Sequence, residues 1–154
     1  AGSPNEGGTD KPGFKEEYYE RWNDTVAILA PLYEDFKGGV EVFNLTSLFA
    51  SEDRINALNW LVVQDKVLIP TSPGNTSAID SSDQEKYEQL ASKVRQRYVL
   101  ALLYMATNGQ FWRLQYNFLM PFDECQWDSV YDPKIEALRD EFSRKGVICN
   151  DQGQ

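Results

Sequence analysis

Tyr87, Leu90, Ala91, Val94, Tyr98, Ala101 and Met105 fall on a single stripe at helical period, and no other stretch of this 154-residue chain constrains its fold as strongly. Lys86, Glu88, Lys93, Arg95 and Arg97 are assigned to the opposite, solvated side. Over 98–106 (YVLALLYMA) the polar side disappears, so this half is expected to be covered on several sides and to form the central helix of the core. Asn108-Gly109 should end it, because both residues tolerate the left-handed conformation of a helix C-cap.

Shorter patterns supply what this helix packs against. Phe14, Tyr18, Trp22, Val26 and Leu29 predict an amphipathic helix over 14–30, ended or kinked by Pro31. Leu32, Tyr33 and Phe36 form an apolar turn running into Gly38-Gly39, a helix stop, and 40–43 (VEVF) reads as a brief extended segment. Ser51 is a candidate N-cap with Glu52 and Asp53 in the first turn, opening a helix over 52–64 whose apolar face is Ile55, Leu58, Leu61 and Val62. The run 70–83 (PTSPGNTSAIDSSD) is dense in turn formers and predicts a surface loop. Residues 111–120 are aromatic without a clean period and should wrap irregularly over the core. Pro133, Ile135, Leu138 and Phe142 predict a final helix ending near Gly146. The fold class expected is therefore mainly α: an irregular helical domain with a long central helix and an aromatic wrapping segment. Residues 1–13 form a tail with little to bury, and 14–154 a single domain, since 42% hydrophobic content over this length fills one core.

Charge removes several function classes. A net charge of -9 disfavours nucleic acid and anionic membrane surfaces, both of which need clustered Lys and Arg. The apolar run 99–106 is far short of the ~20 residues that cross a bilayer, so no membrane insertion by this segment is expected. Nothing has the layout of a signal peptide, and a targeting segment is expected to have been removed or to lie upstream.

Catalytic chemistry is mostly missing. The chain has no histidine, which removes the Ser-His-Asp and Cys-His systems and His-based zinc sites together. Two cysteines cannot complete a four-thiolate metal site, and Gly7-Gly8 and Gly38-Gly39 are simpler as tail and turn than as phosphate loops. No cofactor or metal is expected; Asp80, Asp83 and Glu85 lack the glycine and ligand spacing of a calcium loop. Carboxylates alone can run a hydrolase, but with 24 acidic residues a solvated acidic surface is the simpler reading. Trp22, Trp60, Trp112 and Trp127 are either a platform for a glycan or peptide or, more simply, core. Three glycosylation acceptors, Asn23, Asn44 and Asn75, favour a secretory route, Asn75 being the most accessible in its loop.

One combination goes further. ALNWL (57–61), QRYVLALLYMATNGQFW (96–112), YNFL (116–119) and ECQW (124–127), in that order, resemble the segment that precedes the repeats in diatom-type leucine-rich-repeat proteins. The order of Trp, Cys-x-Trp and Gly-Val-x-Cys is more distantly similar to the N-terminal cap of plant leucine-rich-repeat receptors. The resemblance spans roughly 48–154. It departs from the family where 128–145 separate Cys125-Gln126-Trp127 from Gly146-Val147-Ile148-Cys149, a gap attributed to an inserted helix.

Cys125 and Cys149 are open to reading as buried thiols, a redox pair or a structural disulfide. The even count beside sequons and the family's paired positions favour the disulfide, and with it an extracellular or secretory location, with any membrane tether elsewhere. The resemblance implies a non-catalytic domain that caps a leucine-rich array beginning after Cys149, through packing around Trp112, Trp127, Phe118 and Leu119. An apolar patch, with Trp127 open to solvent, is then expected where the array is absent. Its partners would be the downstream repeats and, through them, an unidentified protein or peptide ligand. The alternatives are an independent glycan- or peptide-binding module using surface aromatics and, behind it, a carboxylate-dependent hydrolase.

Overall fold

A computed structural model describes residues 18–37, 40–43, 45–67, 69–70, 81–128, 146–151 and 153. The expected tail over 1–13, the start of the first helix at Phe14, the Gly38-Gly39 stop, Asn44, Asn75 with most of its loop, and the helix from Pro133 lie outside the described residues.

Helix α1 (Tyr19–Leu29) buries Thr25, Val26, Ile28 and Leu29 on one side and leaves Asn23 exposed on the other. Pro31 has no amide hydrogen to continue the ladder, and the chain tightens into a 3-10 turn, Ala30–Tyr33. Strands β1 (Glu34–Lys37) and β2 (Val40–Phe43) pair antiparallel from Glu34↔Phe43 to Lys37↔Val40, so the extended segment expected at 40–43 has a partner, and Phe36 lies in a strand rather than a turn. A short helix α2 (Leu45–Leu48) leads to α3 (Glu52–Asn59), capped as expected: the Ser51 hydroxyl accepts from the Arg54 amide at 3.3 Å.

The helix expected over 52–64 changes type halfway. Trp60–Gln64 form a π-helical turn closed by the Asp65 amide on the Trp60 carbonyl at 2.9 Å. The wider turn buries three consecutive side chains, Trp60, Leu61 and Val62, which the narrower arc of an α-helix spreads further around its axis.

Helix α4 (Ser81–Ala106) is the long central helix. It starts inside the stretch expected to be loop, at Ser81, where pairs such as Lys86–Asp83 and Gln84–Glu88 support an exposed first half. It packs against α3 and α1, burying Ala91, Val94, Tyr98 and Ala101. Its second half is not covered all round: Val99 and Leu103, one turn apart, are 48% and 47% exposed. The disappearance of polar residues over 98–106 therefore overstates how much of the helix surface neighbours reach. Tyr98 is joined to the 3-10 turn by a 2.6 Å hydroxyl–hydroxyl bond to Tyr33; burial and then that bond push its phenol well above the ordinary range.

Asn108, at φ 52°, ends α4 in the left-handed conformation, as expected. The aromatic segment then turns through Tyr116, Asn117 and Leu119, all at positive φ. Trp112 and Phe118 close on Tyr104 with ring centroids 5.3 and 5.9 Å away.

Gly109 is fixed by space. A Cβ there would lie 2.2 Å from the Tyr104 ring, which Trp112 and Phe118 hold from two other directions. Gly109→Ala is expected to cost about 1–3 kcal/mol through overpacking, seen as a lower urea midpoint at unchanged slope.

Candidate functional site

Arg97 stands where α4, the segment after the π turn and the 3-10 turn Glu124–Gln126 meet. It belongs to the charged set assigned to solvent, yet only 2% of it is exposed. Its Nε and Nη2 donate to the two oxygens of Asp65 at 2.7 Å each, and Nη1 donates to Glu124 Oε2 at 2.8 Å and to the Phe122 carbonyl at 3.0 Å. The guanidinium carbon lies 4.8 Å from the Trp127 ring centre and 5.6 Å from that of Trp60, and these rings meet edge to face at 5.9 Å. Burial alone would push Arg97 down, but hydrogen bonds and charge from Asp65 and Glu124 hold it above its ordinary value. Gln96 and Lys93 also approach Glu124 Oε1, at 3.3 and 3.8 Å.

A second arginine secures the same region from α1. Arg21 donates to the carbonyls of Leu61, Val62, Asp65 and Val67 at 2.8–3.1 Å. It thereby occupies acceptors that the end of the π turn leaves without helical partners. Here burial dominates over the attraction of Asp65 and lowers the guanidinium from its ordinary value.

The expected disulfide is present: Cys125 and Cys149 are bonded, with Cα atoms 5.4 Å apart. It brings 146–150 back beside Trp127, where Asp128 and Gly146 form a bridge and the Val147 amide donates to the Trp127 carbonyl at 2.8 Å. Gly146 sits at φ 106°, and a Cβ there would come within 2.5 Å of the Trp127 carbonyl oxygen, so both the conformation and the close approach require glycine. Side chains then alternate: Val147 packs on the core, and Ile148 is 58% exposed.

The four residues expected at a packing or cap interface cluster, with Trp127 buried and Trp112, Phe118 and Leu119 half-buried. Trp127 is fully enclosed and donates from Nε1 to the Met120 carbonyl at 3.3 Å; Phe118 lies 5.4 Å from it, and Leu119 packs against the core. The expectation of a solvent-open Trp127 is thus corrected, because the rings of Trp60 and Phe118 and the Arg97 guanidinium already cover it. Trp112 is half-buried and bonds to the Thr107 carbonyl. Among the described residues the exposed large apolar side chains are instead Phe111, Met120, Phe122 and Ile148, besides Leu32 in the first 3-10 turn, Val63 in the π turn and Val99 and Leu103 on α4. Nor do the tryptophans form an open platform: Trp60 is buried and Trp22 stacks on Phe49 at 6.0 Å.

Two carboxylates, Asp65 and Asp123, line a cleft of about 190 Å³ with Lys93, Arg97 and Phe122. Asp65 is engaged by Arg97, and Asp123 by Lys93. Burial would raise Asp123, but the Lys93 and Cys125 amide hydrogen bonds outweigh it and hold the carboxyl below its ordinary range, the opposite of what a general acid needs. Asp24, raised by burial and then by the charge of Glu20, lines neither this cleft nor the larger one beside α3. No group of three metal-ligating side chains occurs among the described residues.

Arg97→Met leaves the buried Asp65 and Glu124 without the guanidinium that they share, and is expected to cost about 3–5 kcal/mol in chemical denaturation. Arg97→Lys, which keeps charge but loses the paired bonds to Asp65, should fall between it and the unsubstituted chain. Reducing Cys125–Cys149 is expected to remove about 3 kcal/mol on the chain-entropy account, measured by melting with and without reductant.

No protein-family model matches this chain, and no curated protein or solved structure matches it either. What the region offers a partner lies in its own geometry: a core node with its charges paired, carrying one short extended segment at the surface.

Proposed function

We propose that this domain is a non-catalytic N-terminal cap of an extracellular leucine-rich-repeat protein that takes part in protein recognition. The observation that carries the proposal is the disulfide-held segment 146–150. Its inward side chains are fastened to the Trp127 layer, while Ile148 faces out from an extended backbone. A solenoid repeat leaves one apolar face uncovered at each end, and its terminal unit must present an apolar contact inward and a polar surface outward. Cys125, Trp127, Gly146 and Cys149, the residues of the resemblance, are those that set this segment in place. The acidic surface suits the outward side. The disulfide and the exposed Asn23 acceptor fit passage through an oxidising, glycosylating compartment. Among the described residues no helix is long and apolar enough to cross a membrane, so any tether would lie in another segment.

The test joins a leucine-rich array after Gln154. The joined protein is expected to melt in one transition above that of the chain alone, with slower hydrogen exchange at 146–150. Ile148→Asp should remove about 1–2 kcal/mol of that gain while shifting the chain alone by less than about 0.5 kcal/mol. Two independent transitions, with exchange at 146–150 unchanged, would count decisively against capping.

A further inference from the structure

A larger cleft, of about 580 Å³, lies between α3, the π turn and the C-terminal turn of α4. That volume is typical of small-molecule sites, which run from about 300 to 1,000 Å³. Its polar wall is unusual in composition: five side-chain amides, from Asn56, Asn59, Gln64, Asn108 and Gln110, and a single carboxylate, Asp53. Among the described residues no lysine or arginine lines it. Trp60, Met105 and Leu119 supply an apolar floor.

Backbone irregularity shapes the cleft at two points. Trp60 and Gln64 come to the cleft from the π turn, and left-handed Asn108 with Gln110 come to it from the turn that ends α4. Such π turns recur at functional sites. Independently of shape, Asn59 Oδ1 is shut off from solvent with no hydrogen-bond donor among the described residues, although the residue lines the cleft. A buried acceptor without a donor is uncommon and calls for an explanation, and this one belongs to a residue of the cleft wall.

We propose that this cleft binds an uncharged carbohydrate. A side-chain amide offers a donor and an acceptor side by side, matching a hydroxyl that also does both. Carbon–hydrogen faces of a pyranose suit an apolar floor that includes an aromatic edge. With no lysine or arginine among the described lining residues and Asp53 present, the cleft disfavours phosphorylated, sulfated and carboxylated ligands. None of its polar residues belongs to 146–150, so its binding is read separately from the capping role, with which it shares only Leu119.

The experiment titrates the chain by calorimetry with mannotriose, N-acetylchitotriose and laminaritriose. Sialyllactose and an acetylated, amidated Gly-Ser hexapeptide serve as anionic and peptidic comparisons. At least one neutral trisaccharide is expected to saturate. Asn56→Ala combined with Gln110→Ala, both at exposed positions, should weaken it by about tenfold or more for two lost hydrogen bonds. Asn59→Leu, which removes no hydrogen bond seen in the fold, should abolish binding with the melting temperature maintained. The proposal is overturned if no neutral trisaccharide saturates, if sialyllactose or the hexapeptide binds in preference, or if the folded double variant binds as the unsubstituted chain does.

Discussion

Arg97 with Asp65 and Glu124 is the interaction on which the arrangement of the domain depends. The three groups come from α4, from the chain just beyond the π turn, and from the 3-10 turn that carries Cys125, segments with no shared helix or sheet to align them. Removing three charges from water costs several kcal/mol per ion, so the triad is not a simple source of stability. What it fixes is position. Each carboxylate oxygen that faces Arg97 has one matching N–H, and a slip of one segment by a residue would leave a buried charge unpaired. The Trp60 and Trp127 rings sharpen the requirement by keeping water away while facing the cation with their negative faces.

Arg21 works on the same region in a complementary way. Its hydrogen bonds go to the backbone: it collects four carbonyls at the end of the π turn and so ties α1 to the chain that presents Asp65. Once Asp65 is set from both sides, Arg97 can hold Glu124, and Glu124 lies beside Cys125. The disulfide then carries that placement to 146–150. Order thus passes from α1 through two arginines and one disulfide to the extended segment.

Much of the helical frame was legible because periodicity and capping are local. The stripe on α4, the Ser51 cap and the Asn108-Gly109 stop depend on neighbours within a turn or two, and each appears where expected. The π turn was not legible, since its widening answers the need to bury Trp60, Leu61 and Val62 together, a tertiary demand with no mark in residue order. Arg97 was misplaced by its charge rather than by its position. It is three residues from Val94 and four from Ala101, squarely on the apolar stripe, and an arginine on such a stripe signals a buried acid partner elsewhere in the chain. Val99 and Leu103 show the reverse error, in which apolar character stood in for coverage. The clustering of Trp112, Phe118, Leu119 and Trp127 was foreseeable from chain order, but which of them would reach solvent depended on the fold of 111–122.

The way charge is used also bears on what this surface can recognise. With no histidine, the chain has no side chain that ordinarily titrates between about pH 5 and 8, and its net charge of -9 is correspondingly steady. An acidic field of that size repels anionic partners at long range and lends little steering toward neutral ones. The extended segment presents Ile148, and the cleft presents amides with one carboxylate. Selectivity at either place would have to come from fit and hydrogen-bond pairing at contact distance. Positional accuracy in those backbones then matters more than local charge, and that accuracy is what the buried arginines and the disulfide supply.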